Sequence, residues 1–380
     1  MQRDLYNEDH EAFRATVRGF IERHITPHYD EWEKAGIVDR GVWLEAGKHG
    51  LLGTDVEEKY GGGGISDFRY NSIVRTEIVK AQANGVGFGT HNDVIGPYLI
   101  RLGTDEQKQR WFPGFCSGEV ITAIAMSEPA AGSDLQGMQT TAVRDGDDWI
   151  LNGQKTFITN GINADLAVVA AKTSPEKGSK GITLFGVERG MPGFERGRNL
   201  DKIGLKAQDT AELFFSDVRV PANNVIGNLD GGFIHLMENL PQERLAIAVA
   251  ALAASERAFD DTLAYCKERT AFGKPIGNFQ HSRFVLAELA TEIEIARTFI
   301  DKAILELNAD RLSVTDAAMA KWWTTELQKR VVDAGVQLHG GYGYMMEYPI
   351  ARAYLDARVQ TIFGGTTEIM KEIIGRSLGV

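Results

Sequence analysis

The hydrophobic period of this chain changes twice, and that limits the fold more than any other feature. In residues 8–115 apolar residues recur at helical spacing: Phe13, Val17 and Ile21 fall four apart, and DFRYNSIVRTEIVKA sets Phe68, Ile73 and Ile78 among charges. From about 118 to 230 the pattern becomes short β-rich runs, among them EVITAIAM, WILNGQKTFIT, LAVVAAK and AELFFSDVRV, separated by Gly, Asn, Asp and Pro. Beyond 231 helical spacing returns, with abundant alanine, over 243–268, 281–309 and 314–338. In a chain of 380 residues this predicts an α+β multidomain protein. Its parts are an N-terminal helical domain (1–117), a middle β domain (118–230) and a C-terminal helical bundle (231–380).

Charge and cysteine content exclude several classes. A net charge of −11 offers no basic stripe to displace counterions from phosphates, so nucleic acid is not an expected partner. Cys116 and Cys266 form no CxxC and no disulfide framework, which fits a reducing compartment. The start, MQRDLYNEDHEAFR, lacks the apolar core of a signal peptide and carries acids that disfavour a transit peptide, so the cytoplasm is the expected location. The apolar run LAIAVAALAA (245–254) is too short to span a bilayer, and no membrane association is expected.

The familiar catalytic motifs are missing. His24 and His28 flank Pro27 without an HExxH arrangement, so no metal is expected. There is no GxSxG elbow, and neither GVGFGTH (85–91) nor HGGYGYM (339–345) has the spacing of a dinucleotide fingerprint. YGGGG (60–64) lacks a following GK[ST] and reads as a tight connection.

Four stretches combine residues in ways that packing alone does not require. AMSEPAAGSDLQG (125–137) carries Ser127 and Ser133 among small residues that let a polar ligand approach the main chain, or is simply a β-domain loop. In KERTAFGKPIGNFQ (267–280), Arg269 could hold a phosphate and Phe272 stack on a base; the plain alternative is an exposed arginine and a packing aromatic. QLHGGYGYMMEYPIARAYLD (337–356) places paired glycines between helices, as an anion site or a tight turn. NLPQERLAIAVAALAA (239–254) sets Glu243 before an alanine-rich helix.

Taken together, MSEPAAGSD, KTFITNG (155–161) and QLHGGYGYMMEYPIARAYLD resemble the acyl-CoA dehydrogenase family over essentially the whole chain. The resemblance implies that family's helical, β and helical domains, a tetramer, and one non-covalent FAD per subunit. By the same resemblance Met126, Ser127, Phe157 and Thr159 would line the flavin. Some branches carry tryptophan where Phe157 stands. Arg269, Phe272 and Gln280 would reach the pyrophosphate and adenine across a subunit interface. Gln337, Gly340 and Gly341 would contribute from a neighbouring chain, and Thr366 and Glu368 would complete that pocket. Ser133 would border both cofactor and substrate, and Arg244, Gly364 and Gly365 would contact the CoA thioester.

The implied reaction removes the pro-R α-proton of an acyl-CoA and transfers a β-hydride to the flavin, giving a trans-2-enoyl-CoA and passing electrons to electron-transferring flavoprotein. A weakly acidic α-proton needs a positioned carboxylate. In many members it precedes the GT near the C-terminus, where QTIFGGTTEIMKE has Gly364 instead. Glu243 stands at the position used as base by the long-chain and isovaleryl branches. Taken alone it would read as an ordinary first-turn helix acid. Arg244 and a helix N-terminus would favour its charged form, and burial would oppose it.

LPQER with ARVQTIFGGTTEIMKE looks closest to the long-chain branch. Gly85, Gly87 and Gly89 would either deepen an acyl pocket or permit close packing. The alternatives on the same scaffold are an acyl-CoA oxidase or an isovaleryl or branched-chain dehydrogenase. An alternative of another class is a non-catalytic acyl-CoA-binding flavoprotein.

Overall fold

The computed structural model describes every residue except Gln2. Six helices open the chain: α1 (Glu8–His24), α2 (Tyr29–Ala35), α3 (Gly41–Lys48), α4 (Phe68–Lys80), α5 (Gly96–Leu102) and α6 (Asp105–Ser117). Local chemistry sets their starts. The Asn7 side chain accepts from the His10 N–H, Thr104 and Gln107 form a reciprocal capping box, and Asp67 accepts from the Arg69 N–H. Acids in the first turns of α1 and α6 complement the helix dipole. One irregularity matters later: Thr90–Ile95, just before α5, is a π-helical turn.

The middle of the chain forms β1 (Thr122–Ala125), β2 (Thr141–Asp145), β3 (Asp148–Thr159), β4 (Leu166–Lys172), β5 (Ile182–Glu188), β6 (Phe194–Asn199), β7 (Thr210–Pro221) and β8 (Val225–Ile226). They make one sheet in the order β6-β7-β3-β2-β4-β5-β8, with β1 parallel to β4. Long β3 and β7 pair antiparallel, and their register slips between Lys155 and Ile158. That bulge re-aims the end of β3.

Three long helices, α7 (Gly232–Glu268), α8 (Gln280–Asn308) and α9 (Val314–His339), build the last part with α10 (Pro349–Ala357) and α11 (Thr367–Ser377). A short hairpin, β9 (Thr270–Ala271) and β10 (Lys274–Pro275), joins α7 to α8. Leu245, Val249, Leu289, Ile293, Ala320 and Leu327 share one buried cluster. Alanines on α7 let the helices approach closely: Ala250 and Ala253 pack with Val79 of α4.

The first long helix of this part thus begins at Gly232, about three turns before the helical pattern at 243 predicts. Pro241, a residue type that can open or kink a helix, lies inside α7, so the Met237 carbonyl lacks its usual helical N–H. Leu236, buried against the β domain with Phe233 and Met237 packed beside it, keeps the segment helical past the proline. Tertiary burial has overridden the local stop signal.

Candidate active site

A cavity of about 480 Å³ lies where α4, the π-helical turn, the β domain, α7 and the segment before α11 meet. Glu243 and Gly364 both line it. Glu243 is 6% exposed, and Tyr98 of α5 donates its hydroxyl proton to Oε1 over 2.8 Å. Among the described residues Oε2 has no donor. Burial pushes the Glu243 carboxyl up to about 7, with the Tyr98 hydrogen bond and the Arg244 charge opposing it. The expected helix N-terminus plays no part, because Glu243 sits in the interior of α7 and not in its first turn. A dipole effect falls off within one turn.

Gly364 and Gly365 both have left-handed backbones, with φ of 64° and 98°. Their turn is held from beneath: Arg244 Nε donates to the Gly364 carbonyl over 3.3 Å, and Lys321 Nζ donates to the Gly365 carbonyl over 2.6 Å. Lys321 is fully buried, and burial together with the Arg244 charge lowers its amine to about 8. A Cβ on Gly364 would run into Ile247 Cδ1. The Gly364 N–H has no acceptor among the described residues, which leaves an unpaired donor on a residue that lines the cavity.

Met126, Ser127, Ser133, Phe157 and Thr159 line the same cavity. Phe157 is 70% exposed and has φ 59°, a conformation that is strained for an aromatic residue and sits at the β3 bulge. Beneath it Lys155 is fully buried; its Nζ donates to Glu128 Oε1 over 2.8 Å and to the Met126 carbonyl over 3.1 Å. Glu128 also accepts from the Gln139 and Thr140 N–H groups. The loop carrying Met126, Ser127 and Ser133 is therefore pinned from inside by a buried ion pair.

The other expected ligands lie elsewhere. Arg269, Gln337, Gly340 and Gly341 line a separate surface groove. Phe272 is 95% exposed at the tip of the β9–β10 hairpin, and Gln280 is exposed at the start of α8. Thr366 and Glu368 do not join that groove within one chain. Thr366 caps α11 by accepting the Ile369 N–H, and Glu368 is exposed in the first turn.

The glycines of 85–89 do both: all three permit close packing, and Gly87 and Gly89 also line the cavity. Side chains there would collide with Ala207, Asn160 and Arg75 respectively. His24 meets His49 and Glu45 instead of His28, with ligand atoms within 4.8 Å of one another; Glu45 is already paired with Lys48.

Models of the acyl-CoA dehydrogenase N-terminal, middle and C-terminal domains match residues 7–119, 123–218 and 230–379. The chain belongs to the acyl-CoA dehydrogenase family. It is 51% identical to the mitochondrial long-chain specific acyl-CoA dehydrogenase of Mus musculus over 378 residues, 99% of this chain and 88% of that protein. It is 37% identical to the mitochondrial isovaleryl-CoA dehydrogenase of Solanum tuberosum, over 98% of this chain and 91% of that one. The crystal structure of acyl-CoA dehydrogenase from Geobacillus kaustophilus superposes with a TM-score of 0.98 at 53% identity, covering both chains completely. Acyl-CoA dehydrogenases are FAD-dependent enzymes.

The cavity of this acyl-CoA dehydrogenase fits a flavin. The hydroxyls of Ser127, Ser133 and Thr159 have no protein partner among the described residues, and the buried Gln328 and Gln360 Oε1 atoms of cavity-lining residues are also unpaired. Such groups call for a polar ligand. Tyr98, Lys155 and Lys321 were not anticipated from the sequence. Only Lys155 carried a signal: the alternation Trp149, Leu151, Gly153, Lys155 puts a lysine on the inward face of β3.

Proposed function

We propose that this acyl-CoA dehydrogenase oxidises long-chain acyl-CoA thioesters to trans-2-enoyl-CoA, with Glu243 as the base that takes the α-proton. The observation that carries this reading is the pairing in one cavity of a buried carboxylate, raised to about 7, with a Gly364 that has no acid to offer. A base near neutrality is ionised often enough to act and basic enough to take the proton. Tyr98 holds one carboxylate oxygen, which orients the other. The unpaired Gly364 N–H is the donor assigned to the thioester carbonyl, where it would stabilise charge as the proton leaves. Arg244 and Lys321 keep that N–H in place by gripping the turn's two carbonyls. Bound FAD supplies the acceptor for the β-hydride.

For the cofactor we assign Met126, Ser127, Ser133, Phe157 and Thr159 to the flavin end. Arg269, Phe272, Gln280, Gln337, Gly340, Gly341, Thr366 and Glu368 form the nucleotide end, completed between subunits of a homotetramer. The separation of the two sets within one protomer supports this reading. Long-chain preference rests on the mouse relative and on a cavity that continues along one face of α7 past Ile247, Ala250 and Ala254. Electron-transferring flavoprotein is the assigned acceptor. A cytoplasmic location accords with two buried, unpaired cysteines.

The test is an anaerobic titration of the FAD-loaded protein with a long-chain saturated acyl-CoA. Bleaching of the oxidised flavin with enoyl-CoA formation is expected. A loaded flavin that stays oxidised with long, short and branched acyl-CoAs alike overturns the reading in favour of a non-catalytic binder, and rapid peroxide formation in air would make the protein an oxidase.

A further inference from the structure

One wall of the cavity carries a charge that a plain alkyl chain does not need. Arg75 of α4 donates through Nε to Asp93 Oδ2 over 2.7 Å, and Asp93 is presented by the π-helical turn. Neither Nη1 nor Nη2 of Arg75 has an acceptor among the described residues, and the side chain keeps 20% of its exposure. Gly89 makes room for it, since a Cβ there would collide with the guanidinium. Nearby, Asn84 donates Nδ2 to Asp356 Oδ2 over 2.9 Å, while its buried Oδ1 has no partner.

Arg75, Asn84 and Gly89 line both the main cavity and a small annex of about 40 Å³ that Asn71, Asn92 and Asp93 also enclose. Val79, Val86, Val94, Ile247, Ala250 and Ala254 supply apolar lining to the same cavity. Arg75, with unmatched donors, and Asn84, with an unmatched acceptor, therefore both line a recess the size of a small polar group. Asp93 already balances the guanidinium charge, so the fitting group is neutral. A hydroxyl accepts from the guanidinium and donates to the amide oxygen. An alkyl chain pressed over both would strip their water and return nothing.

We propose that Arg75 and Asn84 form a subsite for a hydroxyl group on the acyl chain, so that hydroxylated acyl-CoAs are preferred over saturated ones of equal length. The hydroxyl is recognised and not consumed. This inference rests on the acyl-CoA dehydrogenase reading of the same cavity.

The experiment measures kcat/KM of the FAD-loaded wild type with three matched series of increasing length: saturated, ω-hydroxy and ω-carboxy acyl-CoAs. At the length that reaches the annex, the hydroxyl compound should exceed its saturated match by about ten-fold or more, mainly through KM. The difference should disappear in Arg75→Met/Asp93→Asn, a pair chosen so that no lone buried charge remains, and in Asn84→Leu. Flavin content and absorbance check that each variant is folded. Equal values for hydroxylated and saturated chains at every length, or a preference for the carboxylates, overturn the subsite while leaving the dehydrogenase reading intact. A flavin that no acyl-CoA reduces overturns both.

Discussion

Ile247 occupies the space that a side chain on Gly364 would need, one helical turn beyond Glu243 on the same side of α7. The position where many relatives hold a carboxylate is thus filled from the helix that carries this chain's own acid. Gly364→Glu should therefore not rescue Glu243→Gln. It should also lower stability by about 1–3 kcal/mol, because φ is 64° there. Thermal unfolding and anaerobic flavin bleaching check both statements, and adding Ile247→Ala should recover part of the stability.

Replacing Glu243 by Gln removes the proposed proton acceptor and leaves the volume unchanged. The rate of flavin bleaching by acyl-CoA should fall by about 10²–10⁴-fold, with FAD content and acyl-CoA binding retained. Stopped-flow absorbance measures the rate, and bleaching at the wild-type rate would remove Glu243 from the mechanism.

The raised carboxyl has two opposite signatures in pH. Proton abstraction needs the ionised form, so the bleaching rate should rise with pH through about 7. Stability runs the other way. The folded protein holds this proton more tightly than the unfolded chain, whose value is about 4.3. The contribution is complete below the unfolded value and is lost as pH rises through about 7. Tyr98→Phe deletes a donor to the ionised form, so the rate profile should move to higher pH.

Lys155→Met strands Glu128 in the interior opposite an apolar chain. Loss of about 3–5 kcal/mol is expected in chemical denaturation, with weaker FAD retention because the loop of Met126 and Ser127 is released. Adding Glu128→Gln should restore part of the stability, since the amide oxygen can still accept from the Thr140 N–H.

Phe272 occupies the first position of the two-residue turn between β9 and β10, with Gly273, and both have positive φ. Its ring contributes little burial to its own protomer. Phe272→Ser should leave the protomer's secondary structure intact while raising the FAD dissociation constant by about ten-fold or more, the scale of one lost stacking contact. Flavin fluorescence on dilution reads that constant.

The three-part architecture was legible because period is a long-range signal, repeated over many residues in each part. The start of α7 was not, because Pro241 looks locally like a boundary and only the packing of Leu236 overrules it. Glu243 stood out through family resemblance, whereas its environment did not: Tyr98 sits in GPYLIRL, a segment that reads as ordinary buried helix. The π-helical turn that presents Asp93 beside Arg75 has no composition of its own. Lys321 lies on a helix whose polar and apolar residues give no hint that one lysine points at a distant glycine turn.

The exposed hairpin tip has a bearing on how such an enzyme behaves in a cell. A ring held out in a strained backbone, away from its own protomer's cavity, would be of use to a neighbour. If it serves that neighbour's nucleotide, each protomer alone carries an unfinished holder for its prosthetic group. Newly made chains would then stay dark until they meet, and abundance itself would decide when oxidation begins.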